Sequence, residues 1–401
     1  MSKNICLSFD SEAHYKALVD DPMLFRAFLA RAYTLHPELF PTAWSAGFTF
    51  HDAYQSKKTG HFIRRVKVTE TEAVFSLRPS FLMPYHTART DEVEKALYLL
   101  QFGVPLAALV YVFGRDEMYW YRLFLQMGRP SIVGTTVKDK EKLPRHLVAD
   151  EKQSWRQKEK VLIPTTVAAG VFLGATVVTE ASAEQLTKGY REFHTEATEL
   201  APEYHPLSVC TDGFAATRKA WVALFPTITL VLCFLHGILK IKDRCRSFLR
   251  TEVLDRAWRI YDATNKRSFS QRARRFSEWA VGHLVSAPLR EAAAKLCQKT
   301  SEYLPAFDYP ECYRTSNAVD RLMNYQDRKL YAMRYFHHSQ ESARLMVRSI
   351  AMLWNFHPYS ERLRRQDQSR VSPFGDLNGF QYHGNWLHNF LIASSMGGVR
   401  A

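Results

Sequence analysis

Between residues 146 and 235, apolar runs of strand length alternate with amphipathic stretches of helix length, and this alternation restricts the fold more than any other feature of the chain. Residues 146–150 read as a short strand ending in a carboxylate, Asp150, and 161–178 supply two more apolar strands broken near Gly170. The stretch 182–198 is expected to be an amphipathic helix. Leu186, Tyr190, Phe193 and Ala197 share one face, whereas Glu184, Glu192, Glu196 and Glu199 lie elsewhere. Residues 207–212 are another strand closing on a carboxylate, Asp212; a helix follows, and 228–235 make a fifth strand.

Three strands, a helix, a strand, a helix and a strand is the element order of a ribonuclease-H-like core, so the expected class is α+β or α/β. The full chain of 401 residues has room for two or three domains. Residues 1–88 read as a mixed N-terminal region, with a helical start and a hairpin in which 62–68 and 73–77 flank a polar turn and carry basic residues on one side. From 89 to 144 the pattern is helical. Val93, Leu97 and Leu100 recur at helical spacing, Gly103 ends that run, Pro105 opens a second helix, and a third spans about 117–127 after a turn at Gly114. This outlines a helix-turn-helix, with Arg115 in the turn and Arg122 on the third helix as DNA-binding candidates; a plain structural bundle has the same outline. The core is expected at 145–239 and 312–345, with 240–311 as an all-helical insertion. Residues 346–401 form a C-terminal helical and aromatic segment that either docks back on the core or meets a second subunit.

Lys and Arg number 54 against 40 Asp and Glu, a net charge of +14, while 46% of the residues are hydrophobic. Such a balance describes a core-forming protein with a basic surface, suited to an anionic partner, nucleic acid or membrane. Residues 240–275 hold twelve Lys or Arg against four acids, more than half of the surplus. Lys240, Arg244, Arg246, Arg272, Arg274 and Arg275 are the candidates for contacts to a DNA backbone. Interleaved Ile241, Leu249, Leu254, Trp258, Phe276 and Trp279 mark the segment as folded helix, and a solvated helical face is the alternative use of its charge. The membrane reading fails: the uncharged runs 96–114, 161–178 and 220–239 are each interrupted, by Gly103 and Pro105, by Pro164, Gly170 and Gly174, and by Pro226 and His236. No secretory pattern opens the sequence, so a cytoplasmic location is expected. The six cysteines form no C-x-x-C pair, which argues against a disulfide framework or a zinc ribbon.

Two aspartates that close buried strands on one sheet edge repel each other unless they share a cation, and Mg²⁺ is suited to one or two carboxylates completed by water and phosphate oxygens. An Asp after a strand equally starts a turn or caps a helix, as Asp212 before Gly213 could. A third carboxylate follows the insertion. A helix beginning near Ser316 or Asn317 places Asp320, Asn324, Asp327 and Tyr331 on one face, with Leu322, Leu330, Met333 and Phe336 roughly opposite. Asn317 as the cap, with Asp320 completing a capping box, is the competing reading.

Taken in order, Asp150, Asp212, the C-x-x-H run from Cys233 to His236 and the segment Thr315-Ser-Asn-Ala-Val-Asp320 resemble the catalytic domain of Mutator-like transposases, of the D-D-E superfamily, over about residues 145–345. The resemblance implies a DNA transposase in which Asp150, Asp212 and Asp320 hold two Mg²⁺ or Mn²⁺ ions and His236 orients a strand or shuttles a proton. It also implies double-stranded DNA as partner, both terminal inverted repeats and target, a homodimer or higher oligomer on DNA, and association with the nucleoid in a prokaryotic cell. One position departs: the family usually has Glu where this chain has Asp320, one methylene shorter. That departure keeps two other readings open, a transposase-derived DNA-binding protein without catalysis and a ribonuclease-H-like nuclease without strand transfer.

Overall fold

The hairpin expected at 62–77 forms and lies inside a four-stranded sheet. The computed structural model describes residues 3–84 and 87–399. Strands β1 (Asn4–Leu7), β2 (Phe48–Gln55), β3 (Phe62–Val68) and β4 (Val74–Pro79) run in the order β1-β4-β3-β2, with β1 parallel to β4 and the other pairs antiparallel. Burial alternates along β4, and Val66, Phe75 and Leu77 pack with Tyr15 and Leu18 of α1 (Glu12–Asp20) and Phe25 and Leu29 of α2 (Pro22–Leu35). Three short helices follow where the spacing predicts them, α3 (Thr90–Gln101), α4 (Leu106–Phe113) and α5 (Glu117–Gln126), and then α6 (Ile132–Thr136).

The second sheet contains β5 (His146–Arg156), β6 (Glu159–Ala168), β7 (Val171–Ala175), β8 (Ser208–Thr211) and β9 (Thr229–Leu232), in the order β7-β6-β5-β8-β9. The pairs β5/β6 and β6/β7 are antiparallel, whereas β5/β8 and β8/β9 are parallel. Ala169 and Gly170 both take positive φ, as a two-residue hairpin turn requires, which accounts for the break read at Gly170. Helix α7 (Ala183–Leu200) joins β7 to β8 and α8 (Ala215–Leu224) joins β8 to β9. Ser182 caps α7 by accepting the Gln185 N–H at 3.2 Å, and the expected face of Leu186, Tyr190, Phe193 and Ala197 is the buried one. The molecule is thus a mixed α/β structure with two mixed sheets.

Two strand ends differ from the expectation. β5 does not stop at Asp150: it leaves β8 after Val148 but keeps β6 as a partner to Arg156, so its ladder carries it six residues further. β9 ends at Leu232 rather than 235, because Cys233 adopts an extended cap conformation and Phe234 opens a helix.

Helices α9 (Phe234–Arg244), α10 (Ser247–Tyr261), α11 (Lys266–His283), α12 (Ala287–Gln298) and α13 (Thr300–Tyr303) make up the segment after β9. They share a core of their own, with Ile238, Val253, Phe269, Phe276 and Leu296 inside it. Helix α14 (Asn317–Ala332) then returns to pack on β5 and β6. Helix α15 (Gln340–Phe356) is buried along most of its length against β7, α5 and α6, and runs through the boundary expected at 345. Beyond α16 (Glu361–Gln366) and α17 (Pro373–Asn378), α18 (Trp386–Ala393) packs on α3 and β1, where the Cys6 N–H donates to Ser395 Oγ at 2.9 Å. The C-terminal segment therefore docks back on its own chain. Among the described residues no helix is long and apolar enough to cross a membrane, and the six cysteines are unbridged.

Candidate carboxylate site

Strand register brings the first two aspartates together. Val148 of β5 pairs with Cys210 of β8, and Cys210 pairs with Val231 of β9, all in parallel. Asp150 stands two residues further along β5, and Asp212 and Cys233 follow directly on the last residues of β8 and β9, so the parallel register delivers all three to the same end of the sheet. Each aspartate has one oxygen taken by a nearby backbone donor: Asp150 Oδ1 accepts the Glu151 N–H at 2.8 Å and Asp212 Oδ1 accepts the Phe214 N–H at 2.7 Å. The second contact is the turn anticipated for Asp212, tightened by Gly213 at φ +90°. Burial raises the Asp150 carboxyl to about 7, and the neighbouring Asp212 adds to the rise.

Glu151, which the sequence reading passed over, points into the layer beneath. Tyr190 of α7 donates to its Oε1 at 2.6 Å and Thr217 of α8 at 2.7 Å, so a half-buried carboxylate is held between both crossover helices directly behind the site. Burial raises its pKa and Asp212 raises it further. A carboxylate adjacent to Asp150 was visible in the sequence, but its hydroxyl partners are 39 and 66 residues away and only the fold assembles them.

Asp320 lies in the first turns of α14, and its geometry removes the capping-box reading. Ser316, not Asn317, is the N-cap residue, which makes Asp320 the fourth helical residue rather than the third. Its carboxylate takes a hydrogen bond from the Ser316 hydroxyl at 2.8 Å. Burial raises the Asp320 pKa, with Ser316 and then His236 opposing the rise. His236 sits in the first turn of α9 beside Cys233 and Asp150. The Cys233 sulfur holds the imidazole above its ordinary range, to about 9, against the effect of burial. Hydrogen bonding from Cys210, and then from His236, holds the Cys233 thiol well below its ordinary range. The Nδ1 atom of His236 is buried without a hydrogen-bond partner among the described residues.

The chemistry of this donor set suits a divalent cation held by Asp150 and Asp212: two adjacent carboxylates, one buried enough to resist ionisation, are relieved by a hard cation that keeps open positions for water and phosphate oxygens. Among the described residues no three His, Cys, Asp or Glu side chains are gathered closely enough to enclose a metal ion. Asp150 and Asp212 are neighbours, while Asp320 stands on the side of Cys233 and His236. Asp327, on the same face of α14, is engaged by Lys152 at 3.3 Å.

The basic candidates divide into free and engaged groups. Lys240, Arg246 and Arg275 are exposed and make no ion pair among the described residues; Arg244, also exposed and without an ion pair, donates only to the Lys240 carbonyl at 2.9 Å. Arg274 pairs with Glu278 at 2.8 Å, and half-buried Arg272 donates to the Arg259 carbonyl at 2.6 Å. Arg115 and Arg122 are exposed, the former over the Tyr119 ring at 5.4 Å; α5 itself buries Trp120, Leu123 and Phe124 and packs on α15. Comparison of the sequence with protein-family models and with curated proteins finds no match.

Proposed function

We propose that the chain is a DNA transposase that binds transposon ends and catalyses divalent-metal-dependent strand cleavage and strand transfer from a ribonuclease-H-like core. The observation that carries this reading is the neighbouring pair Asp150 and Asp212, each two residues beyond the parallel pairing of β5 with β8, on a sheet ordered β7-β6-β5-β8-β9. An open α/β sheet offers its ligands the crevice at the carboxyl ends of its parallel strands, which is where this pair lies. The all-helical insertion between β9 and α14, with its concentration of Lys and Arg, supports the same reading, as does α14 returning with Asp320.

In this reading Asp150 and Asp212 are the principal ligands and Asp320 completes the set. Two Mg²⁺ or Mn²⁺ ions, when bound, supply activation of water or a 3′-hydroxyl and charge stabilisation at the leaving oxygen. His236, whose pKa the Cys233 sulfur raises, offers a cation or a proton beside the scissile phosphate. Arg115 and Arg122 of a helix-turn-helix, and the free cations of the insertion, hold the DNA of the terminal repeats and target. The protein would act as a homodimer or higher oligomer on DNA, at the nucleoid of a prokaryotic cell.

The test is nicking of a supercoiled plasmid carrying the DNA that flanks the coding sequence, in Mg²⁺ and in Mn²⁺. Asp150→Asn and Asp212→Asn should each lose at least a hundredfold in cleavage while keeping DNA affinity. Cleavage within tenfold of wild type in either variant refutes the site, and cleavage without joining of a cut 3′ end to target DNA makes the protein a nuclease. One observation favours a second reading, a DNA-binding protein without catalysis: Asp320 is engaged by Ser316, and its charged neighbours are His236 and Cys233 rather than Asp150 or Asp212. Metal-independent binding to the same DNA with no cleavage by the wild type would establish it.

A further inference from the structure

We infer that Cys233 is a positioning residue which, through Ser316, sets where the Asp320 carboxylate stands relative to Asp212. The inference rests on the reading of Asp320 as a metal-binding carboxylate given above. A continuous chain of polar contacts joins the two carboxylate-bearing elements. The Cys233 N–H donates to the carbonyl of Thr211, the residue before Asp212, at 2.8 Å. The Cys233 sulfur accepts the Ser316 N–H at 3.1 Å and lies 3.3 Å from Ser316 Oγ. The Ser316 hydroxyl in turn donates to Asp320 Oδ2 at 2.8 Å.

The chain is buried and braced. Cys233 and Ser316 are each 1% exposed, so neither can trade these partners for water. A second tie lies alongside, the Phe234 N–H donating to the Arg314 carbonyl at 3.0 Å, and the Arg314 guanidinium is stacked on Tyr261 at 4.3 Å and Phe307 at 4.8 Å. The start and the end of the helical insertion are therefore clamped together at this point, next to the sheet edge.

Ser316 shows that the arrangement serves the carboxylate rather than the helix. A serine at the N-cap ordinarily accepts the N–H of the second or third helical residue. Ser316 makes no such bond, and its hydroxyl faces Asp320 instead. Holding a ligand by a hydrogen-bonded neighbour is the common device by which metal sites fix ligand direction. A side chain one methylene shorter than Glu has less reach, which gives the placement of its helix more weight.

The experiment is a Mn²⁺ titration of the full chain, read by the electron paramagnetic resonance of the free ion, with melting temperature in EDTA as the control. Wild type should bind two ions, and Asp150→Asn should lose them. Ser316→Ala and Cys233→Ala should weaken one of the two by about tenfold or more, with melting unchanged. Cys233→Ser, which keeps a hydrogen-bonding atom at the position, should recover most of the loss. If Cys233→Ala fails to fold, Ser316→Ala decides alone, since it removes the hydroxyl and keeps the N–H bond to sulfur. Wild-type Mn²⁺ binding by Ser316→Ala, with Asp150→Asn impaired, overturns the positioning role and leaves the site standing. Wild-type binding by Asp150→Asn overturns the site and the positioning role with it.

Discussion

His357 carries its proton on Nδ1, which donates to the Pro358 carbonyl at 2.8 Å, and its Nε2 lone pair is buried without a partner. The ring is 6% exposed, stacked against Tyr98 at 4.9 Å and close to Trp386 at 5.7 Å. A second proton would bury a charge with no acceptor, so burial lowers the pKa to about 4, with Lys329 and Arg364 pushing the same way. The folded state then binds fewer protons than the unfolded chain wherever the unfolded imidazole is charged. Stability from this residue is complete above pH about 6.5 and is lost as pH falls towards 4, by up to about 3 kcal/mol. His357→Gln should flatten the difference in urea midpoint between pH 7 and pH 4.5; an unaltered difference would show that other groups carry it. Nothing in the sequence around His357 shows which ring nitrogen lacks a partner, because Tyr98 and Trp386 reach it only through the fold.

Between elements, a buried polar junction forms around Arg348 of α15. Its side chain is 3% exposed and donates to the Gly128 carbonyl, the Pro130 carbonyl and Glu196, each at 2.7 Å, with Glu192 at 3.3 Å. One guanidinium thus fastens α15 to α7 and to the loop between α5 and α6. Arg348→Met should cost about 3–5 kcal/mol in urea unfolding, because it leaves Glu196 without its cation and frees the Gly128 and Pro130 carbonyls, while Glu192 keeps Arg344; adding Glu196→Gln should restore part of it. A loss below about 1 kcal/mol would mean the pairs are solvated. This junction also shows where sequence reading stops. Glu192 and Glu196 were correctly placed off the apolar face of α7, but their partner is about 150 residues away. Periodicity reports which face of an element is polar and says nothing of which distant element answers it. The same limit applies at the site. Asp150, Asp212 and Asp320 could be picked out because in the sequence the first two close apolar runs and the third follows a helix start, whereas Glu151 and Ser316 acquire meaning only through the hydroxyls and carboxylates that the fold brings to them.

At the scale of the molecule, the basic surplus is concentrated on a helical unit with its own core, beside the sheet edge that carries Asp150 and Asp212. Charge of this kind binds a polyanion by releasing counterions, so each phosphate contact contributes about 0.9 to the slope of log affinity against log salt. The side-chain partners decide which residues contribute. Lys240, Arg244, Arg246 and Arg275 are exposed and make no ion pair among the described residues, Arg244 donating only to the Lys240 carbonyl on its own helix, whereas Arg274 pairs with Glu278 and half-buried Arg272 is tied to the Arg259 carbonyl of the neighbouring helix. Replacing these four exposed residues with Glu should therefore lower the slope for double-stranded DNA by roughly 3 to 4. Replacing Arg272 and Arg274 should lower it by less than about 1. Arg115→Glu with Arg122→Glu separates the two surfaces: if α3 to α5 read sequence, preference for the flanking DNA over random DNA falls; if they contact phosphates, both affinities fall together. An unchanged slope in the fourfold variant would make the insertion's charge a solvated face, and the DNA would have to be held by another part of the molecule.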